Sequence, residues 1–249
     1  SICFMHWFST LGRGFRPLRF RDTECERIRD REKDYLLNSC NLVFVLCLRI
    51  FARCGFEGYQ DTLYALAARQ FYRDCRIYGT VDFIFGNAIA CFQNCDILCR
   101  RPLRGQQNTV TAQGRKTSVD ISGYSFQNCS IVASEELVSA NFTVSSYLGR
   151  PWKAYSRTVF MDSFLDSLVD PAGWLSWNSS DPYLDTLYYA EYHNYGPGSA
   201  TNGRVGWPGV HTSLNYTDAL AFGAENFILG SAWLPLDVIT YTSSPSLLH

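Results

Sequence analysis

The sequence predicts an all-β solenoid, and three observations carry that expectation. The pieces FARC (51–54), FYRDC (71–75), FQNC (92–95) and FQNC (126–129) read as one unit used four times. Cys54, Cys75 and Cys95 are separated by 21 and 20 residues. The segments between them are short β-type runs without helical periodicity. A period near twenty residues marks a solenoid, whose coils are too thin to bury an apolar face alone and so stack like on like.

Residues 1–49 stand outside the repeat, and ECERIRDREKD (24–34) is a dense mixed-charge run, more helix- or coil-like than solenoid-like. We therefore expect one domain overall, with a divergent N-terminal segment over 1–49 holding incomplete first coils and a β-helix with a C-terminal tail over 50–249. An N-terminal cap normally prevents a solenoid from fraying. The start thus reads as that of a fragment or of a misread first exon.

The next two coils place a pair of carboxylates. Aligning CGFEGYQDTLY from Cys54 with CRIYGTVDFIF from Cys75 puts Gly58 on Gly79, Asp61 on Asp82 and Tyr64 on Phe85, all at an offset of 21. Residues one period apart lie on adjacent parallel strands, roughly 4.8 Å apart. The coil from Cys95 carries Cys99 and Pro102 where Gly and Asp would fall, so the pair is local.

Asp82 sits among Val81, Phe83, Ile84 and Phe85, the composition of a buried strand. A carboxylate there is costly unless paired, protonated or serving chemistry. Both aspartates could instead cap turns; the Phe-Ile-Phe after Asp82 argues against this. Two carboxylates this close cannot both ionise cheaply, which yields a base or nucleophile beside an acid. That is the minimum kit for hydrolysing an ester or a glycoside.

Composition narrows the class. Of 249 residues, 47% are hydrophobic and 18% charged, enough for a sizeable core and against global disorder. A net charge of -1 gives no reason to expect nucleic acid or an anionic membrane as partner. The best apolar run, Leu42 to Phe51, is too short for a membrane span and is interrupted by Arg49. No signal peptide opens at Ser1, consistent with a mature form, a fragment or a cytosolic chain. Sequons at Asn128, Asn141, Asn178 and Asn215, with ten dispersed cysteines, favour the secretory route, and the lack of a CxxC pair argues against zinc.

The blocks GYQDTLY (58–64), GTVDFIFGNA (79–88), NTVTAQGR (108–115), YLGRPWKAYSRTVFMD (147–162), PAGWLSW (171–177) and LDTLYYAEYHNYGPG (184–198) closely resemble the plant pectin methylesterases. With the stretch from Phe222 to Leu234, the match runs in order from about Ile50 to Pro235. The resemblance implies a right-handed parallel β-helix of the pectin-lyase-like kind. It also implies a secreted, cell-wall enzyme, acting as a monomer, that removes methyl groups from methyl-esterified homogalacturonan without metal or cofactor. A proteinaceous pectinesterase inhibitor is a further partner it implies; the inhibitory pro-region that some members carry upstream does not read in this chain.

Carried over residue by residue, Asp82 matches the nucleophile and Asp61 the acid/base. Gln60 matches an oxyanion-hole amide, and Arg150 the arginine that orients the nucleophile and keeps it ionised. Trp152, Trp174, Tyr64, Phe85 and Tyr147 match cleft aromatics that meet galacturonate rings. Tyr64 and Phe85, which share one repeat position, could instead stack as core residues, as could Trp174. Arg115 could face substrate or pair on the surface. Pro151 argues for a fixed extended segment between Arg150 and Trp152. If 102–118 loops out, Cys95 and Cys129 fall on neighbouring coils at disulfide spacing, a pair that related enzymes form; the alternative is a stack of buried thiols, as for Cys54 and Cys75.

The match fails over 1–49, where GRGFRPLRFRDTEC (12–25) only faintly echoes a family strand. The family's second oxyanion-hole glutamine falls, by ungapped counting, on Asn38, a shorter amide. Loss of one such donor costs roughly 100- to 1000-fold in rate. A catalytically weak pectin-binding wall protein is therefore the second reading, and a lyase or glycosidase on the same solenoid the third. The blocks around Asp61 and Asp82 favour the esterase.

Overall fold

A computed structural model describes residues 4–7, 48–180, 182–236 and 239–247. The expectations placed on 8–47, including those for Asn38 and the mixed-charge run, lie outside the described residues.

The architecture is a right-handed parallel β-helix, the solenoid expected from the repeat. The first sheet stacks, in order, Phe4–Trp7, Arg49–Ala52, Arg69–Arg73, Ile89–Gln93, Gly123–Gln127, Arg157–Met161, Tyr188–Tyr192 and Val210–His211. Among the described strands only Phe4–Trp7 joins antiparallel, beside Arg49–Ala52. The second sheet holds Leu63–Tyr64, Ile84–Gly86, Asn108–Gln113 and Ser146–Gly149. The third holds Gly55–Glu57, Arg76–Gly79, Asp96–Cys99, Ser130–Ala133 and Phe164–Leu165. Each of the four coils from Arg49 to Gly149 contributes one strand to each sheet in turn.

Register follows the repeat. Gly55 pairs with Arg76, Arg76 with Asp96 and Asp96 with Ser130, so the preceding Cys54, Cys75, Cys95 and Cys129 form one column. Inside the coil, Phe51, Tyr72, Phe92, Phe126 and Phe160 stack ring on ring at 4.9, 4.5, 4.4 and 4.5 Å. Like side chains superpose because in-register parallel strands repeat the same direction every rung.

The turn after each of the six strands from Arg49–Ala52 to Tyr188–Tyr192 in the first sheet is held by a left-handed residue: Arg53, Asp74, Asn94, Asn128, Asp162 and His193, with φ of 48–57°. Asp and Asn tolerate that region better than most side chains. Asn128 Nδ2 donates to Asn94 Oδ1 at 2.9 Å, which zips two of these turns together.

The outer face of the first sheet is covered too. The helix Ala224–Ile228 and the residues after it bring Ala224, Ile228, Trp233 and Leu234 over Phe71, Ile89 and Cys91, and the helix Tyr216–Leu220 brings Ala219 over Val159 and Met161. The C-terminal tail is strapped across three coils. Thr242 and Ser244 carbonyls accept from the amides of Gln93 and Gln127, and Asp162 accepts from the Ser246 N–H. Burial on both faces explains why strands such as Ile89–Gln93 are buried throughout.

The expected Cys95–Cys129 disulfide is not formed. The two thiols sit on neighbouring coils as foreseen, but both are free and buried. Cys95 Sγ donates toward the carbonyls of Gln93 and Tyr72 (3.4 and 3.6 Å) and Cys129 Sγ toward those of Phe92 and Gln127 (3.5 Å each). Stacked side chains point the same way, so each thiol meets backbone acceptors. Cys75 continues this free column, whereas Cys54 is disulfide-bonded.

The aromatic stack is expected to dominate core stability. Phe126→Ala should cost about 3–5 kcal/mol, read as a lower denaturation midpoint with an unchanged m-value.

Candidate active site

The second sheet carries the site. Leu63 pairs with Ile84, Ile84 with Thr111, and Thr109 with Tyr147. Asp61, Asp82, Thr109 and Tyr147 therefore form one column on four successive coils. The seven residues 101–107 make an excursion before Asn108, with Gly105 at φ 85°. Ungapped counting had reached Pro102, so Thr109 was missed. Nor does 102–118 loop out as a whole, because Asn108–Gln113 is a rung of this sheet.

Asp82 does not lie inside a strand. It occupies the bend between Arg76–Gly79 and Ile84–Gly86 in the left-handed region, φ 53°, and Asp61 takes the equivalent turn at φ 57°. Both are thus turn residues, yet Asp82 is only 5% exposed. The Phe-Ile-Phe that suggested a strand buries Phe83 and begins the next rung at Ile84.

Partners explain the buried carboxylate. Arg150 grips it with both arms, Nε to Oδ1 at 2.8 Å and a terminal nitrogen to Oδ2 at 2.7 Å. Thr109 Oγ1 donates to Oδ1 at 2.6 Å while accepting from the Asp82 N–H at 2.8 Å. Three donors converging on one carboxyl group suit an ionised, acceptor-only side chain. Arg150 follows Gly149, whose pairing with Thr111 puts Ala112 on the rung between Arg150 and Phe85. That small residue leaves room for the guanidinium to reach back. Trp177, which the sequence reading passed over, flanks it at 4.4 Å from the ring centroid.

Asp61 is half-buried, and its pKa is raised from 3.8 to about 6. Burial is the largest cause, the charge of Asp82 adds to it, and Arg150 opposes both. Gln60, beside it, is exposed.

Three of the expected aromatics form a platform. Tyr64 and Phe85 stack at 4.5 Å and 4°, with Tyr64 38% exposed, and Trp152 meets Phe85 edge-on at 6.2 Å. Gly114 makes this possible, since a Cβ there would stand 2.7 Å from the Trp152 ring. Tyr147 is largely buried, and its hydroxyl pKa is raised by burial and then by Asp170.

Trp174 departs from expectation. It is 1% exposed and stacks on Tyr189 at 4.1 Å inside the coil. Its bridge to Gly149 adds it to the inward-facing column of Leu63, Ile84 and Thr111, and strand alternation fixes that direction. Arg115 turns to the Asp120 carbonyl, 2.7 Å from its Nε.

The raised pKa of Asp61 has a sign. Its protonated form is favoured in the fold, so the associated stability is full below 3.8 and is lost as pH rises through about 6. Asp61→Asn should therefore be more stable than the parent at pH 7.5, by about 1 kcal/mol once solvent screening is allowed for. Urea unfolding should show the gap closing below pH 4; a gap constant with pH would assign it to packing.

Comparisons with known proteins identify the family. The profile of the Pectinesterase family matches residues 45–231. The chain is 55% identical over 196 residues to a probable pectinesterase/pectinesterase inhibitor 41 of Arabidopsis thaliana, covering 79% of this chain and 34% of that protein. It is 52% identical over 196 residues to pectinesterase 2 of Citrus sinensis, covering 79% and 38%. These curated relatives are thus nearly three times the length that the chain matches. Among solved structures, pectin methylesterase from carrot superposes with a TM-score of 0.75 at 45% identity, covering 78% of this chain and 61% of that one. The Aspergillus niger pectin methylesterase gives 0.60 at 36% identity, covering 75% and 55%. With the profile spanning most of the solenoid and the aspartate pair in place, the chain belongs to the pectinesterase family.

Proposed function

We propose that this chain hydrolyses the methyl esters of homogalacturonan, releasing methanol and leaving pectate. The observation that carries the reading is a buried carboxylate, Asp82, gripped by Arg150 beside a half-buried acid whose pKa is near 6.

A carboxylate offers about four lone-pair sites. Thr109 and Arg150 Nε occupy Oδ1, and the second arm of Arg150 takes one site on Oδ2. The remaining pair on Oδ2 is free to attack the C6 carbonyl of a galacturonate methyl ester. The carbonyl electrons move onto oxygen, where the exposed Gln60 amide donates an N–H to the oxyanion. As the tetrahedral centre collapses, the C6–OCH3 bond breaks and Asp61, protonated, gives its proton to departing methanol. That leaves an anhydride between Asp82 and the galacturonate.

Water then adds to C6 and Asp61, now ionised, takes its proton. Collapse breaks the bond between C6 and the Asp82 oxygen, frees Asp82 and leaves Asp61 protonated for the next cycle, while the galacturonic acid released gives its proton to solvent and becomes the carboxylate. The atoms balance with water as the sole co-substrate. Tyr64, Phe85 and Trp152 present apolar ring faces and edges to the sugar rings on either side of the reacting ester. The tight grip of Arg150 serves position: an attacking oxygen must be within about 3–3.5 Å of the carbonyl carbon and aligned with it.

The substrate places the enzyme's work in the plant cell wall, outside the cell, where we propose it acts as a monomer. The names of the Arabidopsis relatives join a pectinesterase to a pectinesterase inhibitor, so a proteinaceous inhibitor is the proposed protein partner.

Methanol release from highly methylated pectin tests the reading. The parent chain should release it, and Asp82→Asn should lower the rate roughly 1000-fold or more while leaving the fold intact. Release undiminished in that variant would remove Asp82 from the chemistry, and unsaturated oligosaccharide products would mark a lyase.

A further inference from the structure

Beyond Asp61 and Asp82, a second polar cluster lies on the same side of the solenoid, built from residues far apart in sequence. Arg100, Tyr59 and Glu136 meet on three coils. Arg100 N–H donates to the Gly79 carbonyl at 2.7 Å and its own carbonyl accepts from Asn108 Nδ2 at 3.0 Å, which fixes its backbone on the third coil. Its side chain reaches back two coils. One terminal nitrogen donates to the Gly58 carbonyl at 3.1 Å and the other to the Tyr59 hydroxyl at 3.0 Å, while the guanidinium lies 4.0 Å over the Tyr59 ring. From the fourth coil, Glu136 accepts from Arg100 Nε and from the Tyr59 hydroxyl.

We propose that Arg100, held by Glu136, is a positioning residue for the turn that carries Gln60 and Asp61. Every contact made by the strap falls on Gly58 or Tyr59, the two residues immediately before that pair. Three further constraints converge on the same turn. Thr80 N–H donates to the Tyr59 carbonyl at 2.8 Å, Thr62 Oγ1 donates to the Tyr78 carbonyl at 2.9 Å, and Asp61 is committed to φ 57°. Gly58 itself cannot carry a side chain, since a Cβ would meet Thr62 Oγ1 at 2.6 Å.

Gly55–Glu57 pairs with Arg76–Gly79 of the next coil, which anchors the entry to the turn. The strap supplies a second anchorage, to coils whose own strands are paired on both sides. A forked, planar guanidinium suits this task because it serves three acceptors and a ring face at once, which a lysine cannot. The consequence is mechanistic: the strap sets where the oxyanion donor and the proton donor stand relative to Asp82, while touching neither of them.

This inference rests on the esterase reading for its kinetic part and on geometry alone for its structural part, so the test has two arms. In the full chain, Arg100→Met, Arg100→Lys and Glu136→Gln are compared with the parent. Methanol release should show kcat lowered about 10- to 100-fold in Arg100→Met, with KM within about twofold, because misplacement of about 1 Å costs that much. Arg100→Lys should recover only part of the loss, and Glu136→Gln should lose less. Amide hydrogen exchange, read well below the melting temperature, should accelerate over 58–62 in Arg100→Met while Ile89–Gln93 stays protected.

A lowered melting temperature with kcat and exchange over 58–62 unchanged would overturn the proposal and leave Arg100 as a stabilising contact. If the parent chain releases no methanol, the esterase reading falls, and the exchange arm alone decides: local acceleration sustains the positioning role and its absence removes it. Should Arg100→Met fail to fold, Arg100→Lys and Glu136→Gln carry both arms with the same criteria.

Discussion

The bidentate ion pair between Arg150 and Asp82 is the contact on which the site depends. It joins the fourth coil to the second, passing a rung where Ala112 leaves space. Without a cation, a carboxylate 5% exposed in a left-handed bend would be both strained and poorly solvated. With Arg150 and Thr109 in place, three of its four acceptor sites are filled and the last one is directed by elimination. Next to this ion pair, burial first and the charge of Asp82 second hold Asp61 protonated to about pH 6, with Arg150 opposing both. Burial on one side and a bidentate cation on the other thus give two chemically identical side chains different environments.

The solenoid makes this separation cheap to build. Stacking places equivalent positions of successive coils on one line, so two neighbouring carboxylates and a hydroxyl support require only the right residue at one position in three coils. The same regularity builds the aromatic column through the core and the left-handed turns along its edge. Rigidity comes from register and from covering both faces of the first sheet, which leaves the second sheet free to present its turn side chains outward. The contacts of Arg100 belong to the same economy, tying the turn at Gly58 and Tyr59 to a later coil.

Much of this was legible in the sequence because repeats convert spacing directly into geometry. An offset of 21 placed Asp61 beside Asp82, and the paired strands keep that offset at Leu63–Ile84 and Tyr64–Phe85. Where coil length changes, counting fails: the excursion over 101–107 moved the column from Pro102 to Thr109, and Gly105 was the available signal for it. Side-chain direction was equally hidden for Trp174, whose inward turn follows from a single bridge to Gly149. The two cysteines shared a local motif and the expected neighbouring positions, yet composition says nothing about whether thiols that face carbonyls oxidise. Asp82 misled in an instructive way: its apolar neighbours described the strand that begins two residues later.

The central claim is that the Asp82 carboxylate, oriented by Arg150 and Thr109, forms a covalent bond to the substrate acyl group. Quenching turnover of a methyl-esterified oligogalacturonide with hydroxylamine, followed by peptide mass mapping, tests this most directly. Attack of hydroxylamine on the anhydride should leave a turnover-dependent hydroxamate on Asp82 and nowhere else in the chain. A turnover-dependent hydroxamate on Asp61 in place of Asp82 would contradict it.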